Sequence, residues 1–137
     1  VETKTELLNV FIDKATTVPG VTSREEIADA VFKREALMST GIGLGVAVPH
    51  VRLNKVQGLN IFVAVNQRDI TDYDTLDDKP VRIALFFVVG RNQHSEYIKA
   101  LSVLVQILKN DLIFKQILDS GDATQVYTCF NQVGGQQ

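Results

Sequence analysis

The chain has 137 residues, 45% hydrophobic and 22% charged, with a formal net charge of −2; these are globular values that predict one core and one domain over 1–137. It has no block of Lys or Arg, which excludes nucleic acid and anionic membrane as expected partners. No apolar run reaches the roughly 18 residues of a spanning helix, and Cys129 is the single cysteine, so the expected compartment is the reducing cytoplasm, with the domain either free or the cytosolic part of a membrane-associated protein.

The chain starts at Val1 without Met and shows no signal peptide, and so reads as an excised or trimmed domain. From about Thr3 to Thr16, Leu7, Leu8, Phe11, Ile12 and Ala15 recur at helical spacing. Val18-Pro19-Gly20 ends that helix. Ser23 and Glu26 form a capping box for a second helix, whose predicted buried stripe is Ile27, Ala28, Val31 and Phe32. Arg34 and Glu35 fall at its exit, where Glu35 reads as a solvated helix end. Val46-Ala47-Val48 reads as a short strand. Pro49 cannot donate to a sheet ladder, which places His50 just past the strand terminus.

Leu59 to Val65 alternates with strand periodicity. Residues 66–79 are acidic and turn-rich, and without EF-hand spacing they read as a solvated loop rather than a metal site. Pro80 precedes the strand Val81 to Val89, whose nearly continuous apolar run predicts burial on both faces. Ser95 is the predicted N-cap of a helix to about Leu108 that buries Ile98, Leu101, Leu104, Val105 and Leu108. After Asn110-Asp111, a helix from Leu112 to Leu118 closes at Gly121, and Asp122 caps a last helix carrying Val126, Tyr127 and Phe130. Residues 133–137 read as a frayed tail. The expected class is α/β, a mixed β-sheet covered by helices.

Gly41, Gly43 and Gly45 stand at alternate positions before the short strand. The dinucleotide fingerprint does not fit, because this loop follows a helix and leads into a strand. A Walker loop is excluded by the absence of Gly-Lys-Ser or Gly-Lys-Thr. What remains is a histidine at the mouth of a glycine-rich loop. A neutral imidazole is a competent nucleophile near neutral pH, and its phosphoramidate is a reactive donor. Arg34 offers a planar fork of donors to phosphate oxygens, and the amides of Gly43 to Gly45 offer an anion cradle. Ser39 and Thr40 belong either to the phosphate loop or simply to the turn. Arg52 either meets an incoming phosphate or sits on the surface.

The stretch Ser39-Thr40-Gly41-Ile42-Gly43-x-Gly45-Val46-Ala47-Val48-Pro49-His50, with Arg34-Glu35 upstream, resembles the phosphorylation motif of phosphotransferase-system EIIA domains of the fructose/mannitol/nitrogen-regulatory type. Asp78-Lys79-Pro80-Val81 and the helix after it are similar to the nitrogen-regulatory branch. The resemblance implies a single-domain EIIA fold. Its members usually carry a strand before the first helix, so either that strand was cut away here or the sheet lacks an edge. It also implies a protein-histidine phosphotransferase: His50 accepts phosphate from an HPr-like phosphocarrier, beside Arg34, and passes it to an EIIB domain or holds it as a regulatory signal. No cofactor and no metal are implied. Leu44 departs from the polar residue usual in family loops, and Tyr97 stands at the family's second-histidine position, with His94 three residues earlier. These departures keep open a second reading, a regulatory module binding a protein or a transporter with weak or absent phosphotransfer.

Overall fold

A computed structural model describes residues 2–119; Cys129, Gly121, the helix expected around Val126 and the tail 133–137 lie outside the described residues. The first element, α1 (Lys4–Ala15), starts where the Thr3 side chain accepts from the Glu6 amide at 3.2 Å, and all five apolar residues of its predicted stripe are buried. In α2 (Arg24–Leu37), Ser23 Oγ accepts from the Glu26 amide at 3.1 Å. The Glu26 carboxylate takes the Thr22 hydroxyl at 2.6 Å rather than returning to Ser23. Ile27 and Val31, one turn apart, are buried, whereas Phe32 is 38% exposed. One residue past Val31 is about 100° further round the helix, which carries Phe32 off the narrow buried face.

The sheet is built on β5 (Val81–Val89), preceded by β1 (Gly41–Gly43), β2 (Val46–Ala47), β3 (His50–Arg52) and β4 (Leu59–Ile70). β4 runs antiparallel along one edge of β5, while β2 and β3 pair in parallel with successive parts of the other edge, and β1 closes a hairpin on β2. Val48-Pro49 is the break between β2 and β3, and the Phe87 amide donates to the Pro49 carbonyl there at 3.0 Å. On β5, Ala84, Phe86 and Val88 face the core under α1 and α2. Ile83, Leu85, Phe87 and Val89 face α3 (His94–Leu108) and α4 (Asp111–Leu118). The predicted two-faced burial of this strand is therefore the centre of an α/β/α sandwich. Phe86 stacks on Phe11 at 5.1 Å; burying one such ring is worth about 1.5–3 kcal/mol.

Several boundaries differ from those expected. β4 continues through Asn66–Asp69 to Ile70 with a register shift after Val65. Much of this length is solvent-exposed, so strand geometry there needs no apolar alternation. β1 and β3 were not expected as strands, and His50 is the first residue of β3 rather than a residue beyond a strand. α3 begins at His94 with Gln93 as its N-cap, so Ser95 lies inside the first turn and does not cap it. Tyr97 is buried in place of Ile98, which is 47% exposed. Asn110 Oδ1 caps α4, accepting from the Leu112 and Ile113 amides at 3.0 and 3.2 Å. Among the described residues no strand pairs the outer edge of β4, and no helix is long and apolar enough to cross a membrane.

Candidate functional site

His50 is positioned by its register. It pairs with Phe87, and Val51 pairs with Val88. Val51 lies in the core under α1 and α2, so alternation turns His50 and Arg52 to the α3 side. The ring is held from both nitrogens: the Val48 carbonyl lies 3.3 Å from Nδ1, and Arg34 Nε donates to Nε2 at 3.3 Å. A guanidinium has no acceptor, so these partners assign the proton to Nδ1 and the lone pair to Nε2. Burial lowers the pKa of His50 below its ordinary value; the Val48 carbonyl opposes this, and the Arg34 charge pushes it further down. The imidazole is thus neutral at neutral pH, with Nε2 available as a nucleophile.

Arg34 comes from the last turn of α2, where the carbonyl end of the helix favours a cation. Its Nη1 donates to the Met38 carbonyl at 2.7 Å. Among the described residues Arg34 bonds His50 and Met38, which leaves most of its five N–H donors for an anion. Tyr97 packs against His50 as well: its ring lies 5.2 Å from that of His50 and meets Phe87 edge-on at 5.1 Å. Burial raises the Tyr97 pKa, with Arg34 opposing. The phenol therefore stays protonated and can donate. His94 lies further out, 6.3 Å from the Tyr97 ring, and its Nδ1 accepts from Arg52 Nη2 at 3.1 Å. Arg34, His50 and Tyr97 thus form an inner group, and Arg52 with His94 an outer pair.

The glycine turn does not join them. Gly45 O accepts from the Arg82 and Ile83 amides, whereas His50 sits opposite Phe87; four residues of strand separate the two by about 13 Å. Gly43, Leu44 and Gly45 all have left-handed φ, at 91°, 61° and 77°, and the Leu44 amide donates to Asp77 Oδ2 at 2.8 Å. The expected anion cradle is therefore occupied by a carboxylate of the chain itself. A Cβ at Gly43 would meet that carboxylate at 3.0 Å, and one at Gly45 would meet the Phe114 ring at 2.9 Å. Ser39 is a turn residue, its hydroxyl donating to the Asp74 carbonyl at 2.6 Å. The 66–79 segment is likewise tied down rather than simply solvated, with Asp72 accepting from the Lys4 amide at 2.8 Å.

Thr40 and Glu35 occupy a second polar cluster beside the first. Thr40 is 4% exposed. The Glu35 side chain is 6% exposed, which corrects its reading as a solvated helix end. Its carboxylate accepts from the Thr40 amide at 3.2 Å, from the Thr40 hydroxyl and from Tyr73 at 2.9 Å, and pairs with Lys4 Nζ at 3.0 Å. Burial alone would raise the Glu35 pKa, but the bonds from Thr40, Lys4 and Tyr73 outweigh it and hold it below the usual carboxylate value. Lys4 and Tyr73 lie far from Glu35 in the chain, and no local pattern announces them.

The family model described as phosphoenolpyruvate-dependent sugar phosphotransferase system, EIIA 2, matches residues 1–133. The chain belongs to this family. Among its relatives, the nitrogen regulatory protein of Bradyrhizobium diazoefficiens is 28% identical over 93% of this chain and 82% of its own length. The fructose-specific EIIABC component of Bacillus subtilis is 30% identical over 80% of this EIIA chain, which spans only 17% of that protein. The crystal structure of the nitrogen regulatory protein IIA-Ntr from Neisseria meningitidis superposes with a TM-score of 0.82 at 26% identity, covering 95% of this chain and 88% of that one. Mannitol IIA from Escherichia coli, solved in complex with phosphorylated mannitol IIB, gives 0.75 at 17% identity over 96% and 90% of the two chains, a likeness of fold. A phosphoryl-carrier or regulatory role comes with the EIIA family.

Proposed function

We propose that this EIIA domain carries a phosphoryl group on Nε2 of His50, taken from an HPr-like phosphocarrier and passed to an EIIB domain or held as a regulatory signal. The observation that carries the reading is the two-sided hold on the ring, with Nδ1–H on the Val48 carbonyl and Arg34 at Nε2. The Nε2 lone pair attacks phosphorus, the N–P bond of the donor phosphohistidine breaks, and its electron pair returns to the donor ring. Positive charge develops on the accepting imidazole, and the Nδ1–H bond to Val48 stabilises it. Arg34 turns its fork from the vanished lone pair to the equatorial oxygens, supplying the charge neutralisation that phosphoryl transfer needs. Tyr97 adds one neutral hydrogen bond where the family's second histidine would add a charged one, a bond about half as strong. That weaker bond favours the second reading, a regulatory module binding a protein or a transporter with weak or absent phosphotransfer. The test is to mix the domain with phosphoenolpyruvate, enzyme I and HPr and record the intact mass. One acid-labile phosphoryl group is expected; an unchanged mass would leave only the binding-module reading.

A further inference from the structure

The inner group and the Glu35 cluster are joined by one path of hydrogen bonds. Glu35 grips Thr40 through both its amide and its hydroxyl. The Thr40 carbonyl accepts from the Val48 amide at 2.9 Å. The Val48 carbonyl in turn takes the Nδ1–H of His50. Glu35 also follows Arg34 directly in the last turn of α2, so the bond network that fixes one fixes the backbone that carries the other. Lys4 and Tyr73 hold the carboxylate from α1 and from the segment before β5, and the Lys4 ammonium lies 4.5 Å over the Tyr73 ring. Among the described residues neither the Glu35 nor the Thr40 side chain bonds His50 or Arg34, yet three elements converge on them.

We propose that Glu35 is a positioning residue: through Thr40 and Val48 it aims the carbonyl that keeps the His50 proton on Nδ1, and thereby keeps the Nε2 lone pair directed at the incoming phosphorus. The proposal deepens the phosphocarrier reading and rests on it for its kinetic consequence, but not for its structural one. Without the grip on Thr40, the β1–β2 hairpin and the Val48-Pro49 break lose one hydrogen-bonded tether to α2. The Val48 carbonyl then holds Nδ1–H less firmly, and tautomer selection falls mainly to the Arg34 Nε–H bond at Nε2. A free neutral imidazole carries its proton on either nitrogen, and every molecule with Nε2–H is blocked as a nucleophile.

The test is a long-range proton–nitrogen correlation spectrum of the His50 ring in the unphosphorylated domain. It is taken at a pH of about 8, well above the ordinary imidazole pKa. Removing the Glu35 charge alters the titration of His50; this pH removes the protonated ring, and Thr40→Val, which keeps the charge, separates the hydrogen-bond path from the field of the carboxylate. Wild type is expected to show Nδ1–H in large excess. Glu35→Ala should raise the Nε2–H population severalfold against the remaining bond from Arg34, and Thr40→Val, which keeps the Thr40 amide bond to Glu35, should give a smaller rise in the same direction; phosphoryl acceptance should slow by up to about tenfold, the scale of one lost hydrogen bond in the transition state. Thr40→Ser, which keeps the hydroxyl, should restore both readouts. Thr40→Val preserves volume and charge, so it stays informative even if Glu35→Ala fails to fold. A tautomer ratio unchanged in Thr40→Val overturns the proposal. Failure of phosphorylation in wild type would instead strike the phosphocarrier reading, leaving the tautomer result to stand or fall by itself.

Discussion

His50→Ala is expected to abolish phosphoryl acceptance, while His94→Ala leaves it close to the wild-type rate. The two histidines differ in what surrounds their lone pairs. His50 presents Nε2 to Arg34, the strongest anion binder in the cluster, with Nδ1–H anchored on a backbone carbonyl. His94 lies beyond Tyr97 and gives its Nδ1 lone pair to Arg52. The intact mass after incubation with phosphorylated HPr checks both variants. A second readout is the pH dependence of stability. Because burial depresses the His50 pKa in the folded protein, the unfolded chain takes up a proton first as pH falls below about 6.5. The stability that the neutral ring contributes is therefore complete above that pH and is lost as pH falls toward the folded value. His50→Ala should flatten this part of the profile in urea melts. Persistent labelling of His50→Ala would move the acceptor elsewhere.

Arg34→Ala should slow phosphoryl acceptance by about 10²–10³-fold, the cost of removing one preorganised donor group from a developing anion. The loss falls on the transition state more than on docking, because the guanidinium sits beside the reacting nitrogen and its remaining donors await the oxygens. Arg34→Lys should recover only part of the rate, since an ammonium supplies the charge but not the fork. The fold should survive in both, because α2 is anchored by Ile27, Val31 and the Glu35 network rather than by Arg34. Transfer rates measured beside thermal melts separate the two effects. Equal rates in wild type and Arg34→Ala would reduce Arg34 to a surface residue.

The sequence was most legible where one long pattern decided the matter. The stripe of α1 and the continuous apolar run of β5 were readable because each buries most of what it carries. Arg34 and His50 were named from a motif and Tyr97 from the family's second-histidine position on a later helix, and the structure brings the three side chains together. The short strands β1 and β3 were not legible, since two or three residues carry no measurable period. The polar end of β4 read as loop because periodicity reports burial, and much of β4 is exposed. The glycine turn misled for a different reason. Its local geometry predicts that some anion is bound, but not which, and the occupant, Asp77, lies 33 residues further along the chain. Glu35 was misread for the same cause: its partners Lys4 and Tyr73 meet it only through the tertiary fold.

The most direct measurement of the central claim is the position of the phosphoryl group on the ring. Nitrogen-15-labelled domain, phosphorylated through HPr and examined by long-range proton–nitrogen correlation at alkaline pH, reports which imidazole nitrogen is bonded to phosphorus. The geometry of Val48 and Arg34 around His50 predicts phosphorus on Nε2 of His50, with Nδ1 still directed at the Val48 carbonyl. Phosphorus on Nδ1 of His50, or on any other side chain, would contradict it.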